Sequence, residues 1–218
     1  MWQSANGSSV ITFDLGGVVV RVCPTPEMAA EIAGIPWREP RHPVRLDEID
    51  RLLFDWQVGQ LSDDALFEAW ADALGGRFNG EEARRMSEAW LLGEYEGVAP
   101  IVRRLQASGR RLGCLSNTCN HHWEMMLTQP ELYPTMALLA ERHASHLLGY
   151  MKPDERIFAR YEEAVGASGE QIVYFDDAPE NIEVAAARGW RTVRITPEQS
   201  PSVQILENLL EMGLLPER

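Results

Sequence analysis

A carboxylate, a hydroxyl, an ammonium and a carboxylate pair stand in four short islands of this chain. Asp14 lies in FDLGGV (Phe13–Val18), Ser116 and Asn117 in LSNT (Leu115–Thr118), Lys152 in YMKP (Tyr150–Pro153), and Asp176 and Asp177 in YFDD (Tyr174–Asp177). A carboxylate beside a metal can attack phosphorus and form an aspartyl-phosphate. A hydroxyl, an amide and backbone N–H groups at a helix start can hold phosphate oxygens. An ammonium can neutralise both nucleophile and phosphoryl group. Adjacent carboxylates repel unless a cation lies between them, and magnesium is the hard, oxygen-seeking candidate. Each residue alone also has an ordinary reading: a turn Asp before Gly-Gly, a Ser or Asn helix cap, a solvated lysine, a turn pair before Ala178–Pro179. What outweighs those readings is the conjunction, since four such islands in this order are hard to obtain by chance. FDLGGV, LSNT and YFDD each end an apolar run that reads as a strand, and strand C-termini of a parallel sheet share the edge where ligands bind. The set suits a magnesium-bound phosphate monoester.

The elements that must position these residues follow from periodicity. Val10–Phe13 and Val18–Val20 flank Gly-Gly and read as a buried strand reaching Asp14 and then a turn. From Cys23 to about Gly97 the patterns are helical: a stripe of Leu46, Ile49, Leu53 and Trp56, then Ser62 as N-cap before Leu66, Trp70 and Leu74, with Gly75–Gly76 as the stop, then Asn79 with Glu82 as another start. This stretch reads as an all-helical insertion. After Gly97 the rhythm becomes βα: a helix over Pro100–Ala107, a strand over Leu112–Leu115, a weaker one within Ala137–Ser145, a helix with Pro153 at N1, a strand over Ile172–Phe175, a helix over Pro179–Arg188, a strand over Arg191–Ile195 and a helix over Val203–Met212. Such alternation predicts an α/β protein with a Rossmann-like parallel sheet covered on both faces. The expected division is a core of residues 1–22 and 97–218 with a helical cap of residues 23–96.

Composition narrows the function. The 218 residues are 45% hydrophobic, enough for a substantial core. Twenty Lys and Arg against 33 Asp and Glu give a net charge of −13, which disfavours nucleic acid and anionic membrane as partners. An anionic substrate then needs a locally positive site. Cys23, Cys114 and Cys119 show no CxxC spacing and read as reduced thiols of a cytoplasmic protein. No apolar stretch approaches membrane-span length, and MWQSANGSS lacks the basic and apolar regions of a secretory signal, so Met1–Ser9 reads as a polar lead-in with Asn6–Ser9 mobile.

Taken in order, the four islands resemble those of the haloacid dehalogenase-like hydrolase superfamily, in the branch with a helical cap after the first motif. The resemblance covers Val10–Val20 and about Gly97–Ile195, and is greatest to the glucose 1-phosphate phosphatases and to the phosphatase domain of epoxide hydrolases; the cap is similar in placement, helicity and the segment WQVGQLS. The resemblance implies Asp14 as nucleophile and metal ligand, Ser116 and Asn117 on phosphate, Lys152 as the cation joining the charges, and Asp177 as the second metal carboxylate. It further implies Asp176 and Asn181 just behind the metal and the Gly16 carbonyl as a ligand. The implied cofactor is Mg²⁺ and the implied partner a small phosphate ester, a sugar phosphate above all, bound by a monomer or homodimer.

Two features depart from the superfamily pattern. Gly16 stands where a general acid–base Asp is usual, and such a group contributes roughly 10²–10⁴-fold. An anomeric phosphate, with its less basic leaving oxygen, needs that acid less. His122 is a candidate to contact substrate or to serve as the missing base, whereas His121 reads as a packing residue at a helix start. In the cap, Gln57–Gln60 replaces a more charged segment, with Gly59 permitting a turn over the site. Trp56, Trp70 and Trp90 read as cap core rather than a binding box, and Arg38, Arg41 and Arg45 around Trp37 as a solvated cap face, with a face toward a phosphate or sugar as the alternative. Two competing readings are a dehalogenase in which Asp14 attacks carbon without metal, and a phosphate-binding protein that lost turnover with Gly16.

Overall fold

The computed structural model describes residues 9–215; all but Ser9 of the polar lead-in lies outside them. Strand β1 (Val10–Phe13) ends at Asp14. The chain then turns on Gly16–Gly17, with the N–H groups of Val18, Val19 and Val20 all donating to the Leu15 carbonyl. Gly17 has a φ of 75°, and a Cβ there would collide with the Asp177 carboxylate at 2.3 Å, so glycine at this position makes room for Asp177. After β2 (Val20–Val22) come four helices, α1 (Pro26–Ile32), α2 (Leu46–Gln57), α3 (Asp63–Ala73) and α4 (Gly80–Glu88).

These helices start and stop where local chemistry directs. Ser62 Oγ accepts from the Ala65 N–H, and Asn79 with Glu82 forms a reciprocal capping box. Gly75 and Gly76 have φ values of 84° and 64°, which ends α3. Leu52, Trp56, Leu66, Phe67 and Trp70 form the centre of one apolar cluster. Leu46 departs from the expected stripe and is 69% exposed; it opens α2, where the first turn has not yet reached the cluster. The all-helical expectation is corrected at the segment's end, where Leu91–Glu94 is strand β3, paired antiparallel with β2. Its partner lies some 70 residues earlier, so no local pattern announced it.

The remainder alternates: α5 (Val98–Ala107), β4 (Arg111–Ser116), α6 (Asn120–Thr128), β5 (Glu141–Ala144), α7 (Ser145–Leu148), α8 (Glu155–Val165), β6 (Ile172–Asp176), α9 (Pro179–Ala187), β7 (Arg191–Arg194) and α10 (Pro201–Glu211). Helix α8 starts two residues later than the Pro153 reading, because Asp154 is its cap and accepts from the Arg156 N–H at 2.9 Å. The five-stranded parallel sheet has the order β5-β4-β1-β6-β7. Its faces alternate as strand geometry requires. Ile11, Phe13, Val173 and Phe175 enter one cluster with α5 and α10, whereas Val10, Ile172 and Tyr174 enter another with α8. Register does the rest. Phe13 aligns with Cys114 and with Phe175, so Asp14, Ser116 and Asp176 emerge together at the carboxyl edge.

Candidate active site

Lys152 is the hub. Its Nζ donates to Asp176 Oδ2 at 2.7 Å, to the Leu115 carbonyl at 2.9 Å and to the Tyr174 hydroxyl at 2.9 Å, and lies 3.0 Å from Asp14 Oδ1. Its side chain is only 1% exposed. Burial alone would pull an ammonium down, but Asp14 and Asp176 outweigh it and hold the Lys152 pKa above the ordinary range. Asn117 fixes the loop that carries this lysine: its amide donates to the Lys152 carbonyl and accepts from the Lys152 N–H, both at 2.8 Å. The Asn117 side chain is thereby committed, leaving its backbone as the part able to meet a phosphate.

Asp176 is fully buried and saturated. Oδ1 accepts from the Ala178 N–H and the Asn181 amide, and Oδ2 from Lys152, Tyr174 and Asn181. Asn181 therefore braces Asp176. Asp14 differs. The Leu15 N–H at 2.7 Å and the Lys152 ammonium at 3.0 Å both meet its Oδ1. Burial, reinforced by Asp176 and Asp177 against the pull of Lys152, pushes its carboxyl up to about 7. Burial and Asp176 raise Asp177 as well. Carboxylate oxygens of Asp14, Asp176 and Asp177 all lie within 4.8 Å of one another. Three carboxylates around one ammonium leave a surplus of negative charge that a divalent cation would balance, and an all-oxygen donor set suits magnesium. The structure places Ser116 at the end of β4 and Gly16 one turn beyond Asp14, both beside this cluster on the wall of one cavity.

A family model for haloacid dehalogenase-like hydrolases matches residues 9–189. The chain belongs to this family. This hydrolase is 24% identical to a phosphatase of Mycobacterium tuberculosis (strain CDC 1551 / Oshkosh) over 95% of its own length and 96% of the relative's. It is 26% identical to a (S)-2-haloacid dehalogenase of Pseudomonas putida over 64% of each chain. Among solved structures, it shares its fold with a HAD-family enzyme of Bacteroides thetaiotaomicron in complex with magnesium and inorganic phosphate, with a TM-score of 0.71 at 16% identity, covering 88% of this chain and 96% of the other.

In this hydrolase a cavity of about 230 Å³ extends from Gly16 and Ser116 between the sheet edge and the helices α2–α4. Trp56, Trp70 and Trp90 line it, so they serve as wall as well as packing. Gln57 reaches the same wall, while Gly59 (φ 76°) sits so close to the His146 carbonyl that a Cβ would meet it at 2.6 Å. Of the arginines near Trp37, Arg38 is paired with Glu82 and Arg45 with Glu48 and Asp72.

His122 also lines the cavity, 5.5 Å from Trp56 between ring centres. Its Nε2 lies 2.9 Å from the Ser87 carbonyl oxygen and 2.9 Å from Ser87 Oγ. A carbonyl only accepts, so Nε2 carries the ring proton and Nδ1 is the acceptor atom. Burial pulls this imidazole down to about 4. Between pH about 6.5 and 4 the unfolded chain takes up a proton at this position that the folded chain refuses, so stability rises with pH across the window and falls on acidification. The expected loss is roughly 3 kcal/mol. His143 and His146 are shifted in the same direction, so the measurement is a difference: urea denaturation of wild type and His122→Gln at pH 7 and pH 4 should show a smaller acid loss in the variant. An equal loss would place the imidazole in water.

Sequence reasoning missed Tyr174 and Ser87. Tyr174 was detectable, since strand alternation sets it on the face of Asp176 two residues later. Ser87 meets His122 across 35 positions and left no local signal.

Proposed function

We propose that this hydrolase is a magnesium-dependent phosphatase acting on a small phosphate monoester through an aspartyl-phosphate. The observation that carries the reading is the cluster of Asp14, Asp176 and the half-buried Asp177, the first two paired with the buried Lys152. Asp14 and Asp177, with the Gly16 carbonyl, are the groups that would hold the cation, because Asp176 is already saturated. Magnesium, when bound, would supply neutralisation of charge on the phosphoryl oxygens. A carboxylate oxygen of Asp14 attacks phosphorus, the bond from phosphorus to the ester oxygen breaks, and that oxygen leaves with the electron pair as an oxyanion and takes its proton from solvent. Lys152 stabilises the charge developing on the phosphoryl group, and Ser116 Oγ with the backbone N–H groups after it orients that group. Water then cleaves the acyl phosphate and returns Asp14. His122 Nδ1 is the candidate acceptor for the proton of that water. Residues 23–96 act as a cap that closes the cavity over the substrate. The resemblance of the four islands implies a sugar as the organic part, a refinement that the cavity wall does not favour.

A dehalogenase needs no cation, and three crowded carboxylates around one lysine argue against it, although a relative bears that name. Hydrolysis of p-nitrophenyl phosphate with and without Mg²⁺ tests the proposal. Release of p-nitrophenol only with the metal is expected. Absence of hydrolysis, with halide release from 2-chloropropionate instead, would overturn it.

Among the described residues, no Asp, Glu, Lys or Arg lines the cavity, so its wall supplies no carboxylic acid to the leaving oxygen. Across phosphate esters of graded leaving-group pKa, log kcat/KM should fall steeply as the leaving group becomes more basic. A flat plot would mean that a proton donor exists. Gly16 lies outside the left-handed region, and a Cβ there would meet only Val22 Cγ1 at 3.6 Å. The turn therefore accepts Gly16→Asp, which should speed esters of basic alcohols most, by up to roughly 10²-fold.

A further inference from the structure

We propose that the organic group this enzyme takes is an uncharged aromatic ring, which makes it an aryl phosphate hydrolase; the inference rests on the phosphatase reading above. The cavity that opens from Gly16 and Ser116 is walled mainly by Trp56, Trp70, Trp90, Leu53, Met126 and Val22. Indole faces and aliphatic groups favour a flat apolar ring through burial and offset or edge-on stacking. The polar atoms present are largely committed elsewhere: Ser87 to His122, and the Asn117 amide to the backbone of Lys152. Gln57 remains. A hexose would bring more hydroxyls into this space than these few atoms can pair, and each buried hydroxyl without a partner is costly. A ring brings none.

Size agrees. An apolar cavity of about 150 Å³ holds a benzene molecule, so 230 Å³ accommodates a substituted or fused ring. The chemistry of Gly16 agrees independently. Without a proton donor at that position, an ester whose oxygen leaves as a stable anion is favoured. In the step, the Asp14 carboxylate forms its bond to phosphorus, the bond from phosphorus to the aryl oxygen breaks, and the pair leaves on an aryloxide. A phenol-type group has a pKa of about 10, so the aryloxide takes its proton from solvent after release. The shape of the wall and the missing acid select the same class of substrate.

The test compares four substrates with Mg²⁺: acetyl phosphate, phenyl phosphate, 2-naphthyl phosphate and a hexose 1-phosphate. Acetyl phosphate needs neither a ring pocket nor an acid, so its hydrolysis reports the phosphatase chemistry alone. Expected kcat/KM for 2-naphthyl phosphate exceeds that for phenyl phosphate by roughly tenfold, since the leaving groups are similar and the second ring is buried. It exceeds that for the hexose phosphate by roughly 10²-fold or more. Val22 is 40% exposed, so Val22→Asp should fold while putting a charge on the wall; the ratio of naphthyl to acetyl phosphate hydrolysis should drop at least about tenfold. Hydrolysis of acetyl phosphate with the hexose ester equal to or better than the naphthyl ester would overturn the inference and leave the phosphatase reading standing. A ratio unchanged in Val22→Asp would likewise overturn it. No hydrolysis of any of the four would overturn both.

Discussion

Asp14→Asn is expected to lower Mg²⁺-dependent phosphate release by roughly 10⁴-fold or more while the protein stays folded. Asn keeps the oxygen that accepts the Leu15 N–H, so the turn after β1 is preserved. It loses the charge that attacks phosphorus. It also removes one of three carboxylates packed within 4.8 Å, so the metal-free variant should be at least as stable as metal-free wild type. The two proteins should then differ in their response to magnesium: melting of wild type rises with added Mg²⁺, and that of Asp14→Asn rises much less. Rapid phosphate release by a purified, folded Asp14→Asn protein would remove Asp14 from the chemistry. A large loss of melting temperature without metal would mean that Asp14 is chiefly structural.

Lys152→Met should be both inactive and strongly destabilised. The ammonium is buried and offers hydrogen bonds to Asp176, Tyr174 and the Leu115 carbonyl beside Asp14. Methionine fills similar volume but leaves buried carboxylates without their cation. Breaking a buried pair in this way costs about 3–5 kcal/mol. For a chain of this length each kcal/mol moves Tm by about 2–4 °C, so a drop of roughly 6–20 °C is expected. Removing the stranded charge should recover part of it: Lys152→Met with Asp176→Asn should melt above Lys152→Met alone and remain inactive. A Lys152→Met protein melting within about 2 °C of wild type would show that the lysine is hydrated rather than locked between Asp14 and Asp176.

Much of the frame was legible from residues near one another in the chain. Ser62 and Asn79 announce helix starts because a short polar side chain caps N–H groups only three residues away. Gly17 fits a turn because its left-handed φ favours a residue without Cβ. The apolar runs ending at Asp14, Ser116 and Asp176 read as parallel strands, and a parallel sheet aligns such ends at one edge, so the gathering of those side chains was already implied by the sequence. The −13 charge and the Gly16 departure were equally open to inspection.

Other properties depend on contacts between distant positions, for which local periodicity carries no information. Strand β3 exists because β2 supplies its hydrogen bonds. Asn117 looked like a phosphate ligand, but the tertiary structure turned its amide onto the backbone of Lys152, 35 residues away. The tryptophans followed a helical stripe that fits packing; only the closure of α2–α4 over the sheet edge made Trp56, Trp70 and Trp90 the wall of a cavity reaching Ser116. The chain's own pattern thus determined that Asp14, Ser116 and Asp176 end strands at one edge, because strand alternation is a local rule, whereas the loop carrying Lys152 reaches them through contacts with Asn117 and Asp176. The shape and polarity of the space around them were decided by packing between layers, and that space governs which phosphate ester fits.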